Sequence, residues 1–122
     1  MPIRRMGVYW IPDTAVALPP TAPNDRPKHP RRPFLVVSND MDNIDPKWTT
    51  VLGFPLSTSD EWATKYDVRI AAGTANLPEK CWVRINMIQP IAKTKLQERT
   101  GQLSASLYEE CISQLFRYMG EI

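Results

Sequence analysis

An arginine and a serine occupy the two positions of this sequence that are best suited to chemistry on a phosphate. Arg32 precedes Pro33 at the start of an apolar run, residues 34–37, and Ser57 follows a second apolar run, residues 51–56. A guanidinium matches phosphate geometry with a rigid fork of donors and can neutralise charge that develops on phosphorus. If the two runs pair as strands, the two side chains meet at one edge of a sheet. The pattern therefore predicts a site for phosphodiester chemistry at that edge.

Neighbouring side chains could hold a substrate at this edge. Arg31 and Thr58 adjoin the pair, and Trp10 could stack on a base, an interaction that contributes roughly 1–3 kcal/mol per base. Trp82 shares a face of its predicted strand with Arg84, which favours a subunit interface over an RNA contact. The ordinary alternative is a set of surface arginines, turn hydroxyls and core aromatic rings.

Other catalytic templates are missing from the sequence. His29 is the single histidine, so a histidine pair acting as acid and base is excluded. Cys81 and Cys111 lack the spacing of a zinc site, and both fit reduced core residues. There is neither a Gly-rich phosphate loop nor a nucleophile elbow. We therefore expect neither a metal nor a cofactor.

Size and charge indicate a single domain in the cytoplasm. The 122 residues suffice for one modest core, and no apolar run reaches the roughly 18 to 20 residues of a membrane span. No apolar segment of a secretory signal follows the basic N-terminus. The net charge is only +2, but residues 1–32 hold six basic residues against two acidic ones. This basic N-terminal segment could attract a polyanion, or it could be a solvated loop.

The pattern of β-forming residues predicts six or so short strands. Seven of the twelve prolines lie in residues 12–33, which predicts a long, stiff loop. Gly53 suggests a bulge or bend within its strand, and Pro90 suggests a strand edge or a break. The strands are expected over residues 8–11, 34–38, 49–56, 66–70, 81–86 and 87–91, with a brief extended piece at 93–96.

The C-terminal part of the chain predicts one helix. Ser104 is a suitable N-cap and Gly120 stands where a helix ends. Apolar residues recur at helical spacing and form one stripe, namely Leu107, Cys111, Ile112, Leu115, Phe116 and Met119. The expected fold class is therefore mainly β, with the helix packed on a small sheet.

Several segments, in order, resemble the MazF/PemK toxin family, the endoribonucleases of type II toxin–antitoxin pairs. The similarity covers nearly the whole chain apart from the Pro-rich loop. The segments are Val8-Tyr9-Trp10, the Arg-Pro step and apolar strand from Arg32 to Asp40, Leu56-Ser57-Thr58, residues 88–96, and Gly101-Gln102-Leu103.

The resemblance implies a fold, a reaction and partners. It implies an SH3-like β-barrel with a C-terminal helix, one domain over residues 1–122, that works as a homodimer with single-stranded RNA along the interface and an antitoxin as partner. RNA would be cut without metal, because its own 2′-hydroxyl attacks the phosphate and leaves 2′,3′-cyclic phosphate and 5′-hydroxyl ends. By motif position, Arg32 takes the place of the catalytic arginine and Ser57 that of a threonine or serine.

The chain also departs from the family pattern. Arg5-Met6-Gly7 replaces the usual Arg-Gly-Asp, the Pro-rich loop replaces a Gly-Ser-Glu-Gln segment, and Asn86-Met87 replaces an acidic-Gln pair. These departures bear on the cleavage sequence and, to a lesser degree, on the activity itself. Two alternatives stay open: a CcdB-like toxin that poisons gyrase without nuclease activity, and a degenerate member that only binds RNA or protein.

Overall fold

The structure is a computed structural model that describes residues 2–18 and 30–122. Within these ranges the chain forms seven strands and two α-helices. The strands are β1 (Gly7–Pro12), β2 (Arg31–Val36), β3 (Thr50–Ser57), β4 (Val68–Ile70), β5 (Cys81–Val83), β6 (Gln89–Ala92) and β7 (Arg99–Gln102), and the helices are α1 (Asp40–Ile44) and α2 (Ala105–Met119).

The strands build one antiparallel sheet that curls on itself. Its order is β4–β5–β3–β2–β1–β7, and β6 pairs with the first half of β3. A 3₁₀ turn after β4, Thr74–Asn76, reaches β7, where the Asn76 side-chain amide donates to the Thr100 carbonyl at 2.9 Å. This contact joins the two ends of the strand order. The predicted class, mainly β with one C-terminal helix, is confirmed, and the curled sheet agrees with the small barrel that the resemblance implied.

Both faces of the central strands are covered. Val8, Leu35 and Phe54 lie opposite one another on β1, β2 and β3, and all three are buried in the core that includes α2. The alternate residues Tyr9 and Phe34 are buried in a second cluster on the other face. This two-sided burial explains why the sequence of β2 shows so little alternation between apolar and polar residues.

Helix α2 begins and ends where the sequence predicted. The Ser104 hydroxyl accepts a hydrogen bond from the Leu107 amide at 3.3 Å, and Gly120 adopts a left-handed conformation with φ of 80°. The predicted apolar stripe is only partly buried, because Phe116 and Met119 remain 43% and 52% exposed. The helix therefore packs on the sheet through its first three turns.

Several predicted boundaries were wrong. The strand expected over 81–86 ends at Val83. The Arg84 amide still donates to the Pro55 carbonyl at 3.0 Å, but proline has no N–H to return a bond, and the chain then enters a 3₁₀ turn. Residues 93–96 form a 3₁₀ turn at Lys93–Lys95 instead of an extended piece. Pro90 does lie in an edge strand, since β6 pairs with β3 alone among the described strands.

The Pro-rich loop is shorter than predicted at its C-terminal end. Strand β2 begins at Arg31, so residues 31–33, which were expected in the loop, belong to this strand. At its other end, Asp13–Ala15 form a 3₁₀ turn. Residues 19–29 of the loop, which include His29, lie outside the described residues.

None of the helices in the described ranges combines the length and apolar character that a membrane span requires.

Gly53 is required for close packing, and of the two features suggested for it, a bulge or a bend, the register excludes the bulge. It pairs regularly with Val36 and Gln89, but a Cβ atom there would lie 2.2 Å from the Leu35 carbonyl oxygen and 2.4 Å from the Phe34 ring. Both neighbours are buried and cannot move freely. A glycine inside a strand often marks such a close approach of backbone.

We predict that Gly53→Ala lowers the free energy of unfolding by roughly 1–3 kcal/mol, because the added methyl group overpacks the core. Urea unfolding followed by circular dichroism measures the change. The matched control is Leu52→Ala at the adjacent, 39% exposed position, which should change stability by about 0.5 kcal/mol or less. Equal stability of Gly53→Ala and the unchanged protein would contradict this packing argument.

Candidate functional site

The start of β2 and the end of β3 meet at one edge of the sheet and form a cleft of about 200 Å³. The antiparallel register pairs Phe34 with Pro55, and continuing it by two residues brings Arg32 opposite Ser57. Arg32 and Ser57 both line the cleft. The three residues predicted to bind substrate also line it, namely Arg31, Thr58 and Trp10. All five predicted site residues are therefore brought together.

Arg32 lies at the base of this cleft, and its hydrogen bonds to Asp13 and Leu56 help to hold it there. Its Nε donates to Asp13 Oδ1 at 2.6 Å, and its Nη1 donates to the Leu56 carbonyl at 2.9 Å. Since Leu56 directly precedes Ser57, the second bond fixes the guanidinium beside the serine. The residue is only 6% exposed, so its side chain is held within the protein and does not extend into solvent.

Asp13 is the residue of this site that the sequence did not reveal. It is 4% exposed and lies in the 3₁₀ turn after β1, where it pairs with Arg32. The register pairs Ile11 with Arg32, so a carboxylate two residues further along the chain can reach the same guanidinium. The available signal was an acidic residue just beyond the end of a strand that neighbours β2.

The Ser57 hydroxyl is oriented by its own turn. Its Oγ accepts a hydrogen bond from the Ser59 amide at 3.2 Å. A hydroxyl has one donor hydrogen and two acceptor positions, so Ser57 can still donate to an oxygen in the cleft. Thr58 follows on the exposed side. The two hydroxyls are therefore suited to contact the oxygens of a bound phosphate.

Arg31 and Trp10 form the outer wall of the cleft. The Arg31 guanidinium carbon lies 4.1 Å from the centre of the Trp10 ring and covers one of its faces. The guanidinium is also held by Glu98, at 2.7 Å between Nη1 and Oε1. Glu98 is 68% exposed at its side chain, so this pair is in contact with water. Trp10 and Arg31 thus form a stacked pair at the mouth.

Among the described residues, the lining of the cleft is less positive than the basic N-terminal sequence suggested. Arg32 is paired with Asp13 and Arg31 with Glu98, while Glu79 adds a carboxylate to the lining. Arginine therefore contributes directed hydrogen bonds here, and much of its charge is balanced locally. A polyanion would have to displace or share these pairings.

The two cysteines are core residues, as predicted. Cys81 and Cys111 are free and buried, and burial raises the pKa of Cys81 to about 11 and that of Cys111 to about 12. Cys81 also lines the cleft, but a neutral thiol is a poor nucleophile. Within residues 2–18 and 30–122, no three histidine, cysteine, aspartate or glutamate side chains are grouped as metal ligands.

Comparisons with known proteins agree on one family. The family model described as PemK-like, MazF-like toxin of type II toxin–antitoxin system matches residues 4–118. The chain is 31% identical over 110 residues to proteins named endoribonuclease MazF2 of Mycobacterium bovis and endoribonuclease MazF6 of Mycobacterium tuberculosis. These alignments cover 90% of this chain and 90% of each relative.

Solved structures show the same fold at lower sequence identity. MazF from Deinococcus radiodurans superposes with a TM-score of 0.72 and 17% identity, over 98% of both chains. An endoribonuclease from a mycobacterial species, solved in complex with its cognate antitoxin, gives a TM-score of 0.68 at 18% identity. That match covers 98% of this chain and 94% of the other.

We predict that Asp13→Ala lowers the free energy of unfolding by about 3–5 kcal/mol, because it removes a buried carboxylate that pairs with the buried Arg32 guanidinium. The matched control is Glu98→Ala, which removes the exposed partner of the adjacent Arg31 and should cost about 0–1 kcal/mol. Urea unfolding of the two variants measures both values. Equal costs would show that burial does not distinguish the two ion pairs.

We also predict that both cysteines of the folded protein resist iodoacetamide at pH 8. With a pKa of about 11 or more, roughly one thiol in a thousand is the reactive thiolate at that pH. Labelling should be at least about 100-fold slower than in urea, where the pKa returns to about 8.5, and should accelerate as the pH rises. Mass spectrometry of timed samples measures it. Rapid labelling of Cys81 in the folded state would contradict the burial argument.

Proposed function

The chain belongs to the family of PemK-like and MazF-like toxins of type II toxin–antitoxin systems, and from this premise we propose that it cuts single-stranded RNA in the cleft between Arg32 and Ser57. The observation that carries this assignment is the hydrogen bond from Arg32 Nη1 to the carbonyl of Leu56, at 2.9 Å. It holds the guanidinium next to the residue that supplies the hydroxyl.

The proposed reaction uses a nucleophile from the substrate. The 2′-hydroxyl of a ribose attacks the adjacent phosphorus, and the bond from phosphorus to the 5′-oxygen of the next nucleotide breaks. The 2′-hydroxyl gives up its proton and the departing 5′-oxygen gains one. The products are a 2′,3′-cyclic phosphate and a 5′-hydroxyl end. No water is consumed in this step.

Arg32 stabilises the transition state in this scheme. Negative charge accumulates on the phosphoryl oxygens as the fifth bond to phosphorus forms, and a fixed donor at that point lowers the barrier. Free arginine has a pKa above roughly 12 and is therefore a poor base. We assign Arg32 to charge stabilisation, with Asp13 as a positioning residue that orients it.

The other cleft residues bind the RNA chain. Ser57 and Thr58 donate hydrogen bonds to the non-bridging oxygens of the phosphate that is cut. The stacked pair of Arg31 and Trp10 contacts the neighbouring nucleotide, through the guanidinium for a phosphate and through the ring for a base. Because the nucleophile comes from the RNA and the charge is met by arginine, the proposed reaction needs no metal.

The same premise extends to partners and location. A mycobacterial endoribonuclease and MazF of Deinococcus radiodurans have been solved with MazE or a cognate antitoxin. We propose that this chain likewise binds an antitoxin that blocks the cleft. We further propose that it acts as a homodimer, with RNA along the interface, in the cytoplasm where messenger RNA is available.

The alternative of a gyrase-poisoning toxin is not favoured. The family model spans residues 4–118, and the relatives at 31% identity are named endoribonucleases. The ending of this chain, by contrast, resembles that other class of toxin only loosely.

We predict that the purified protein cuts a long RNA in the presence of EDTA and leaves 5′-hydroxyl ends, which selective ligation and sequencing can map. Arg32→Ala should slow cleavage about 10²- to 10³-fold, the loss typical of removing one preorganised donor. Arg32→Lys keeps a positive charge beside Asp13 but lacks the forked N–H donors of the guanidinium. This variant therefore tests the role of the donor geometry even if Arg32→Ala fails to fold. Ser57→Ala should cause a smaller loss.

Matched controls are Arg117→Ala, on an exposed turn of α2, and Ser59→Ala, which keeps the amide that orients Ser57. Both should cut at the unchanged rate. Rates are compared after thermal melts establish that each variant is folded. Full activity in Arg32→Lys and Arg32→Ala would reject the role given to this arginine.

A further inference from the structure

Three residues form an outward-facing row that starts at Ser57. The register pairs Ser57 with Trp82 on β5, and Trp82 with Arg69 on β4. Residues that lie directly opposite in antiparallel strands point to the same face of a sheet. Ser57, Trp82 and Arg69 therefore stand side by side across three strands.

The neighbouring row establishes which way these side chains face. Leu56, Val83 and Val68 are paired one position along the same three strands, and all three are buried in the core beneath α2. Because alternate residues of a strand point to opposite faces, the row of Trp82 faces away from that core. Arg69 is exposed, and Trp82 is half-buried. The cleft thus continues as a surface track.

Asp60 fixes the indole ring within this track. Its Oδ1 accepts a hydrogen bond from Trp82 Nε1 at 2.7 Å and also binds Lys80 Nζ. The Lys80 bond, and then the Trp82 bond, lower the pKa of Asp60, so this carboxylate remains ionised at neutral pH. The Lys80 ammonium lies 5.9 Å from the centre of the Trp82 ring. A preoriented aromatic face is therefore flanked by the cations of Lys80 and Arg69.

We propose that Trp82 is a base-stacking subsite for a nucleotide that flanks the cut, and that Arg69 and Lys80 contact the phosphates beside that nucleotide. This inference rests on the proposed RNA cleavage and extends it beyond the cleft. Stacking on an aromatic ring needs no particular base, because every base has a π-face. The subsite would therefore lengthen the bound RNA without selecting its sequence.

The charges around Trp82 favour an RNA contact, whereas the sequence alone had favoured a subunit interface. The buried centres of protein interfaces are depleted in charged residues, lysine and aspartate among them. Trp82 is surrounded by Arg69, Lys80 and Asp60, all of which would lose water on docking a second subunit. A nucleotide offers a base to the ring and phosphates to the two cations, so each group gains a matching partner.

The experiment uses an RNA oligonucleotide whose cutting site has first been mapped with the unchanged protein. A 2′-deoxy substitution at that site removes the nucleophile, and 2-aminopurine replaces each flanking base in turn. Stacking on an indole quenches 2-aminopurine fluorescence, so one flanking position should be quenched by the unchanged protein and not by Trp82→Ala. Trp82→Phe should restore most of the quenching, because it retains an aromatic face.

Binding and turnover provide the quantitative readouts. Trp82→Ala should weaken binding and raise KM about 5- to 150-fold, the equivalent of ~1–3 kcal/mol per stacked base, with kcat changed much less. Arg69→Ala and Lys80→Ala should each reduce the slope of log K against log salt by about 0.7, the value for one phosphate contact on a single strand. The matched control is Trp48→Ala, at a 52% exposed tryptophan that follows α1 and is not part of the row.

The outcomes separate this inference from the proposed function. If the unchanged protein cuts RNA while Trp82→Ala binds and quenches as before, the subsite is overturned and the cleavage assignment stands. If the unchanged protein cuts no RNA, the proposed function fails and the inference falls with it. If sedimentation shows that Trp82→Ala turns a dimer into a monomer, Trp82 belongs to a subunit interface and the subsite is overturned.

Discussion

The arrangement of the site depends on one buried ion pair, between Arg32 at 6% exposure and Asp13 at 4%. Removing two charges from water costs several kcal/mol each, and attraction offsets that cost only where further hydrogen bonds satisfy the groups. Arg32 meets this requirement with a second bond, to the Leu56 carbonyl. The pair therefore ties the turn after β1 to β2 and to the end of β3. Two apolar side chains could stabilise this junction equally well, so the pair is better explained by what a guanidinium does in the cleft.

The pairing also determines how Arg32 can act. Asp13 offsets much of the positive charge of Arg32, so long-range attraction of RNA has to come from other groups. The same pairing fixes the direction of the guanidinium donors. Fixed donors require little reorganisation when charge develops on a phosphate, which is the condition for electrostatic stabilisation of a transition state. The low exposure of the pair strengthens such contacts, because the local dielectric is lower than that of water. Binding and catalysis then fall to different groups. Exposed side chains such as Arg31 bind the RNA, and the buried Arg32 stabilises the transition state.

The sequence predicted the features whose causes are local. Helix α2 carries its own cap at Ser104 and its own terminating Gly120, and the edge that joins Arg32 to Ser57 follows from two apolar runs that pair as antiparallel neighbours. The missed features depend on contacts between distant segments. Strand β7 has the sequence Arg-Thr-Gly-Gln, which lacks apolar alternation, and forms because β1 offers it an edge. The hydrogen bond between Asp60 and Trp82 joins residues 22 positions apart, and no periodicity of the sequence predicts it.

A second buried ion pair, Arg84 with Asp67, helps to separate structural from functional burial. Its Nε lies 3.0 Å from Asp67 Oδ2 without hydrogen-bond alignment. Asp67 instead accepts hydrogen bonds from the amides of Ile85 and Thr64, at 3.0 Å each, so it organises the turns around β4 and β5. Arg84 does not line the cleft, whereas Arg32 does and is bonded to the residue before Ser57. Burial and pairing are common to both arginines, so neither property identifies a catalytic group. The assignment of Arg32 depends instead on its place at the edge where β2 begins and β3 ends.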